Sequence, residues 1–466
     1  MAERNDRPNI VLINCDDLGY GDLGCYGAEY NRTPALDRMA AEGMRLTDFY
    51  MASPVCSPSR GAMMTGCYPM RIGFGDFARG GGRDNRWNRA GVLFPSAPEG
   101  LSPHEITVAT LLKRQGYVTK LVGKWHCGDQ PEFLPTRHGF DSYFGLPYSN
   151  DMGIQPYRAG RAPLPLMEDE EPIELQPDQR SLTIRYVEHS VRFIRRNRDR
   201  PFFLYLAHMH VHLPHYPPYC FLRRSRNGAY GAAVECIDWS TAVILHELKR
   251  LGLDENTMVV FTSDNGSRGD HGGRNAPLRG RKGTCWEGGQ RVPCIVRWPG
   301  RIPAGSTCGE MATAMDFLPT FAALGGAAAP DDRIIDGKDI RRLLFGEPGA
   351  RTPHEAFFYY RFREMQAVRS GPWKLHVARG GSIAPELYDL ADDIAESNNV
   401  ADKHPDVVAR LRTLIDAGRE DLGDAAEGIE GRNVRPIGRV ENARPLATWD
   451  DDHPYIIAMY DLPDGG

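Results

Sequence analysis

Four short apolar runs, each ending in a cluster of polar residues, constrain this chain more than any other feature. They are Asn9–Asn14 ending in Asp16 and Asp17, Tyr117–Val122 ending in Gly123–His126, Pro201–Ala207 ending in His208–His212, and Thr257–Thr262 ending in Asp264–Gly266. Runs rich in β-branched and aromatic residues that alternate with helical patterns predict an α/β fold, its sheet covered on both faces. Helical patterns fall at roughly 34–43, 104–116, 181–197, 229–251 and 311–324. In such sheets ligands sit beyond the carboxyl ends of the strands, and all four polar clusters lie there.

Beyond about residue 330 the texture changes to short runs parted by turn residues: Phe357–Tyr360, Gln366–Arg369, Trp373–His376 and Glu386–Leu390. These predict a small antiparallel sheet, followed by an amphipathic helix over 404–417 and a partly irregular tail from about 418. The division expected is a catalytic domain over 1–345 and a smaller α+β domain over 346–466. The Gly/Arg-rich stretch 73–91 and the Pro- and acid-rich stretch 155–179 read as loops.

A formal net charge of -5 argues against a nucleic-acid partner. No apolar run reaches membrane-spanning length, and no export signal is visible at the N-terminus. A cytoplasmic protein is expected unless such a signal has been trimmed. Ten cysteines without a Cys-x-x-Cys pair suggest no disulfide framework.

Asp16, Asp17, Asp264 and Asn265 offer three carboxylates and an amide oxygen at two equivalent strand ends. Each pair alone could be a turn or a helix N-cap. Together they suit a hard cation, Ca2+ or Mg2+, rather than zinc. Cys56-Ser57-Pro58-Ser59-Arg60 predicts a helix start, with Ser57 as N-cap and Pro58 in the first turn. The free N–H groups there would favour an anionic nucleophile and an anionic substrate.

Cys-x-Pro-x-Arg followed by Thr65-Gly66 resembles the signature of the formylglycine-dependent sulfatases. Asp16-Asp17, Gly123–His126, Asp264–Gly266 and the segment Lys282–Gly289 resemble the family's other motifs in the family's order. Gly139–Gly145 with Pro147–Ser149 is similar to a segment of arylsulfatases and of the N-acetylgalactosamine-6-sulfatase type. The resemblance implies an alkaline-phosphatase-like fold, with a large mixed, mostly parallel sheet between helices and a smaller C-terminal domain.

The resemblance also implies a divalent cation, usually calcium, held by Asp16, Asp17, Asp264 and Asn265 with the formylglycine made from Cys56. A formylglycine-generating enzyme would be the maturation partner. Arg60, Lys124, His126, Ser149, His212 and Lys282 match positions that hold the aldehyde hydrate or the sulfate. Three carboxylates, a divalent ion and the cations Arg60, Lys124 and Lys282 sum to about +2, which attracts an anionic ester. One hydroxyl of the hydrate would attack sulfur, and Lys282 or His212 would protonate the leaving oxygen. His126 would then take the proton that lets the second hydroxyl expel sulfate.

His208, His210 and His215 crowd the same strand end as His212; His210 and His215 read as pocket residues and His208 as structural. A sulfate monoester of a phenol or small alcohol is the expected substrate. A carbohydrate sulfate, a phosphodiester or phosphonate monoester, and a catalytically dead sulfosugar-binding role are the alternatives. Arg79, Arg83, Arg86 and Arg89 either grip an acidic saccharide or form a solvated loop. Cys236 and Trp239 on the 229–251 helix, and the apolar tail Tyr455–Tyr460, mark buried or subunit contacts, so a homodimer is possible.

Overall fold

In the computed structural model, residues 7–75, 77–78, 89–154, 162–377 and 384–455 are described. Strand β1 (Asn9–Cys15) is buried along its whole length. Its alternate side chains enter two separate cores. Ile10 and Leu12 pack with one cluster; Val11 and Ile13 pack with the other. An uninterrupted apolar run is what a strand covered on both faces requires.

The large sheet adds β2 (Met44–Leu46), β3 (Val118–Gly123), β4 (Ser142–Gly145), β5 (Pro165–Glu168), β6 (Glu171–Leu175), β7 (Phe202–Ala207), β8 (Thr257–Ser263), β9 (Cys294–Arg297) and β10 (Ser306–Cys308). Its order is β6-β5-β4-β3-β7-β1-β8-β9-β2-β10. The run β4-β3-β7-β1-β8 is parallel throughout. Antiparallel pairs flank it on both sides, so the sheet is mixed and mostly parallel.

Helices α1 (Pro34–Ala41), α4 (Gln179–Arg196) and α5 (Gly228–Arg250) cover one face through Leu36, Met39, Leu182, Tyr186, Ile237 and Ile244. Helices α2 (Cys56–Thr65), α3 (Val108–Arg114) and α6 (Phe317–Leu324) cover the other through Met63, Leu111, Leu112, Phe317 and Phe321. No helix among the described residues is long and apolar enough to cross a membrane.

Strands β11 (Phe357–Arg361), β12 (Glu364–Ser370), β13 (Trp373–His376) and β14 (Glu386–Asp389) form the small antiparallel sheet, in sequential order. Helix α7 (Pro405–Leu422) packs on it through Leu411 and Ile415. That core is shared with Tyr50, Ala62 and Met315 from the larger part of the chain. The tail returns as well: Gly438 and Arg439 pair with Gly100 and Glu99.

The stretch 155–179 differs from the expectation of a loop. Residues 155–161 lie outside the described residues, but β5 and β6 form an antiparallel hairpin at the sheet edge. Buried Leu164, Leu166 and Met167 outweigh the Pro- and acid-rich composition, and Asp169 supplies the left-handed turn at φ 55°. Within 73–91, Phe77–Ala78 pairs with Arg89–Ala90. Arg79, Arg83 and Arg86 lie outside the described residues, as do the side chain of Arg89 and the tail beyond Tyr455.

Gly123 ends β3 at φ 113°, and a Cβ there would sit 1.8 Å from the Ala207 carbonyl oxygen. Gly123→Ala must therefore push β3 away from β7. We expect it to cost at least ~2 kcal/mol, read as a fall in the thermal unfolding midpoint. An unchanged midpoint would show that the two strand ends are not locked together.

Candidate active site

Strands β3, β7, β1 and β8 are neighbours in parallel register, so their carboxyl ends share one edge of the sheet. Asp16 and Asp17 leave β1 there, Lys124 and His126 leave β3, His212 follows β7, and Asp264 and Asn265 leave β8. Asp17 and His126 both adopt left-handed backbone, at φ 62° and 60°. That conformation, uncommon for any residue but glycine, turns the chain sharply at the strand end.

The N-terminus of α2 enters this edge. The helix starts at Cys56, with Val55 as an extended N-cap at φ -142° and no side-chain cap. The expectation that Ser57 caps it is therefore corrected. Ser57 lies inside the first turn, and its Oγ accepts the Leu93 N–H at 3.0 Å. Cys56 thus sits among the unpaired N–H groups of the first turn. Its Sγ lies 3.5 Å from Asp16 Oδ1.

Arg60, one turn further along α2, is almost wholly buried. It donates through Nε to Asp264 Oδ2 at 2.8 Å, through one terminal nitrogen to Asp16 Oδ2 at 3.1 Å, and through the other to the Lys124 carbonyl at 2.7 Å. Lys124 pairs with Asp16 and reaches Ser149 Oγ at 3.2 Å. Burial alone would raise the Asp16 carboxyl, but Lys124 and Arg60 hold it well below the usual carboxylate range. Burial and the charge of Asp16 push Asp264 the other way, up to about 6.

Lys282 bonds both oxygens of Asp17, at 2.7 and 2.8 Å. Burial would lower its ammonium, but Asp17 pushes it above the ordinary lysine range. His212 Nδ1 faces the Leu213 carbonyl and Ser149 Oγ, leaving Nε2 3.9 Å from Asp17 Oδ2. His126 donates Nε2–H to the Leu93 carbonyl at 2.9 Å, because a carbonyl can only accept. Its Nδ1 therefore carries a lone pair, and that atom has no hydrogen-bond partner among the described residues. Burial and Lys124 push His126 well below the usual imidazole range, so the ring is neutral.

Ligand atoms of Asp16, Asp17, Cys56 and His212 lie within 4.8 Å of one another, a group that could hold a metal ion. Asn265 Nδ2 donates to Asp17 Oδ1 at 2.7 Å, while its Oδ1 is buried without a partner among the described residues. That oxygen joins three carboxylates in a donor set suited to a hard cation. His208, His210 and His215 stay outside the group. His208 and His210 meet Ser240 and Thr183 hydroxyls at 3.3 Å, and burial pushes both rings down to about 3.

Cys56, His126, Ser149, His212 and Lys282 all line one cleft of about 680 Å³. Val92, Phe94, Met152 and Phe362 give it an apolar wall, and Asp151, Arg268, Asp270 and Arg281 a charged mouth. None of these eight stood out in the sequence, although Arg281 adjoins Lys282.

A buried network that sequence reasoning missed holds the Lys282 loop. Glu287 accepts from Tyr359 and Lys374 at 2.8 and 2.9 Å, and its N–H donates to Glu396 at 2.7 Å. Lys374, on β13, also bonds the Cys285 carbonyl and Glu396, each at 2.9 Å. The small sheet therefore clamps the segment that delivers Lys282.

Comparison with known proteins supplies a family for this arrangement. The family model described as Sulfatase matches residues 8–327, and one described as N-sulphoglucosamine sulphohydrolase, C-terminal, matches residues 281–421. The chain is 42% identical to the N-acetylgalactosamine-6-sulfatase of Canis lupus familiaris, over 79% of this chain and 71% of that protein. It is 38% identical to human arylsulfatase A, over 87% of each. Among solved structures, the PsFucS1 sulfatase from Pseudoalteromonas sp. superposes with a TM-score of 0.80 at 28% identity, over 94% of this chain and 93% of that one.

Lys374→Met would remove the ammonium shared by two buried carboxylates, together with its bond to the Cys285 carbonyl, and loosen the loop they hold. We expect faster amide hydrogen exchange over residues 279–290, unchanged exchange in β1, and a fall of at least ~10-fold in turnover as Lys282 drifts. Native-like protection of 279–290 in the variant would refute the clamp.

Proposed function

Because the chain belongs to the sulfatase family, and is thereby a sulfuric ester hydrolase, we propose that it cleaves the sulfate monoester of a phenol or small alcohol. The nucleophile of the proposal is residue 56, after oxidation of its thiol to formylglycine. What carries the reading is the meeting of Cys56, His126, Ser149, His212 and Lys282 on one cleft wall, at the open end of a helix.

Asp16, Asp17, Asp264 and Asn265 would hold a divalent cation, calcium or magnesium, beside residue 56. The unpartnered Asn265 Oδ1 and the crowded carboxylates support that assignment. Such an ion, when bound, would neutralise the carboxylates and acidify a hydroxyl of residue 56. Formylglycine would supply a hydrated aldehyde, one hydroxyl to attack sulfur and the other to expel sulfate.

The chain's own residues then divide the work. The N–H groups of the first turn of α2 with Lys124, Ser149, His212 and Lys282 surround the sulfate oxygens with donors fixed before the reaction. Lys282 or His212 protonates the leaving oxygen, and of the two Lys282 is the one that enters charged. His126 accepts a proton at Nδ1, the atom its bond to Leu93 leaves free.

The apolar wall suits an aryl or alkyl leaving group. A carbohydrate sulfate is the second reading, favoured by the charged mouth of Asp151, Arg268, Asp270 and Arg281. The relatives being sulfatases, a phosphodiester or phosphonate substrate is not favoured.

Peptide mass spectrometry over residue 56, in protein from the native host, is expected to show an aldehyde. An unmodified thiol in fully active enzyme would refute the mechanism. Cys56→Ser is expected to stall after one sulfation, since a serine has no second hydroxyl to eject the group. Rates on p-nitrophenyl sulfate above those on N-acetylgalactosamine 6-sulfate are expected; the reverse order would transfer the assignment to the carbohydrate reading.

A further inference from the structure

A second cavity, of about 890 Å³, lies on the sheet face covered by α1, α4 and α5, and shares no lining residue with the catalytic cleft. It runs between α1, α5 and the short helical turn Tyr219–Leu222. Arg32, Arg38, Arg223 and Arg224 line it, exposed and drawn from two separate segments. No carboxylate among the described residues comes within ion-pair distance of any of them. In a chain of formal net charge -5, four unpaired guanidinium groups around one groove are a local excess of positive charge.

The same groove contains a buried acid. Glu235 is 6% exposed, and its Oε1 has no hydrogen-bond partner among the described residues. A buried carboxylate oxygen without a donor carries a desolvation cost that a ligand donor would remove. Asp238, one turn further along α5, is differently placed: its Oδ1 already accepts the Ala35 and Leu36 N–H groups at 2.9 and 2.8 Å. Trp239, half-buried, and Phe221 add aromatic surface, their ring centroids 6.0 Å apart. The Arg224 guanidinium lies 5.3 Å from the Phe221 ring.

We infer that this groove binds an anionic oligosaccharide, one carrying sulfate or carboxylate groups on a hydroxylated ring. Guanidinium forks pair with planar or tetrahedral oxyanions. Glu235 needs a donor, which a sugar hydroxyl provides, and Trp239 offers a flat apolar surface to a ring face. A free inorganic anion would be repelled by Glu235 and would leave Trp239 unused. The overall negative charge opposes a long nucleic-acid strand. The inference rests on the groove alone and stands apart from the reading of the catalytic site.

The test is calorimetric, on the full chain carrying Cys56→Ala so that the probe survives. The probes are a chondroitin 6-sulfate tetrasaccharide, an uncharged chitin tetrasaccharide and sodium sulfate. The charged tetrasaccharide is expected to bind most tightly. Arg223→Ala with Arg224→Ala is expected to weaken it at least about tenfold, and Glu235→Ala to weaken it while leaving the unfolding midpoint unchanged or raised. With Cys56 intact, both variants are expected to keep p-nitrophenyl sulfate turnover within about twofold. Unchanged affinity in both variants would overturn the proposal. So would sodium sulfate binding as tightly as the tetrasaccharide, or equal binding of the uncharged probe.

Discussion

The catalytic edge of the sheet depends on one buried guanidinium. Arg60 bonds a carboxylate from β8, a carboxylate from β1 and a carbonyl from β3. Asp16, Asp264 and Lys124 are wholly buried around it. Any one of these charges alone in the interior would cost several kcal/mol; together they offset one another. The spacing Cys-x-Pro-x-Arg has its physical meaning here. Residues four apart share a helix face, so the bond that ties three strand ends together also sets Cys56 against Asp16. The cluster is still imperfectly balanced: Asp264 is pushed up to about 6, chiefly by burial and by Asp16. Relief of that strain is what a hard cation would add.

The second constraint comes from the other end of the chain. Lys282 belongs to a long connection between β8 and β9, which no strand register fixes. Its own N–H donates to the Ser267 carbonyl at 3.0 Å, and the end of its loop is anchored at Glu287, which bonds Lys374 and Glu396 from the C-terminal part. Lys374 and Glu287 are both wholly buried. Burial would raise Glu287, but Lys374 and Arg291 hold it far below the usual carboxylate range. The small sheet thus supports the loop that carries Lys282, although it places no strand in the large sheet.

The strand-end clusters were legible because local chemistry and global topology agree there. Short apolar runs such as Ile10–Ile13, β-branched and repeated between helical patterns, read as strands covered on both faces, and the polar residues after them then lie at the sheet edge. Their convergence needed one thing more, that the four strands be neighbours in the sheet, and the order β3-β7-β1-β8 supplies it. The Lys374 network was not legible, because a lysine in a short strand reads as a solvated surface group until its burial is known. The hairpin β5–β6 was hidden by composition: two prolines and five acids mask the three apolar residues that bury it. The N-cap of α2 was misplaced for a related reason. Ser57 has the chemistry of a cap, but its hydroxyl is committed to Leu93.

Leu93 joins the two halves of the catalytic problem. Its N–H is fixed by Ser57 in the helix that carries residue 56, and its carbonyl fixes the tautomer of His126. Its neighbours Val92 and Phe94 form the apolar wall of the cleft. In the proposed reaction, a leaving group packed against this wall would press on the segment that orients His126, the proposed proton acceptor. Contacts remote from sulfur can in this way be converted into alignment of the reacting groups. On the proposed mechanism, substrate choice and turnover would be coupled through three consecutive residues, the middle one of which bonds both Ser57 and His126.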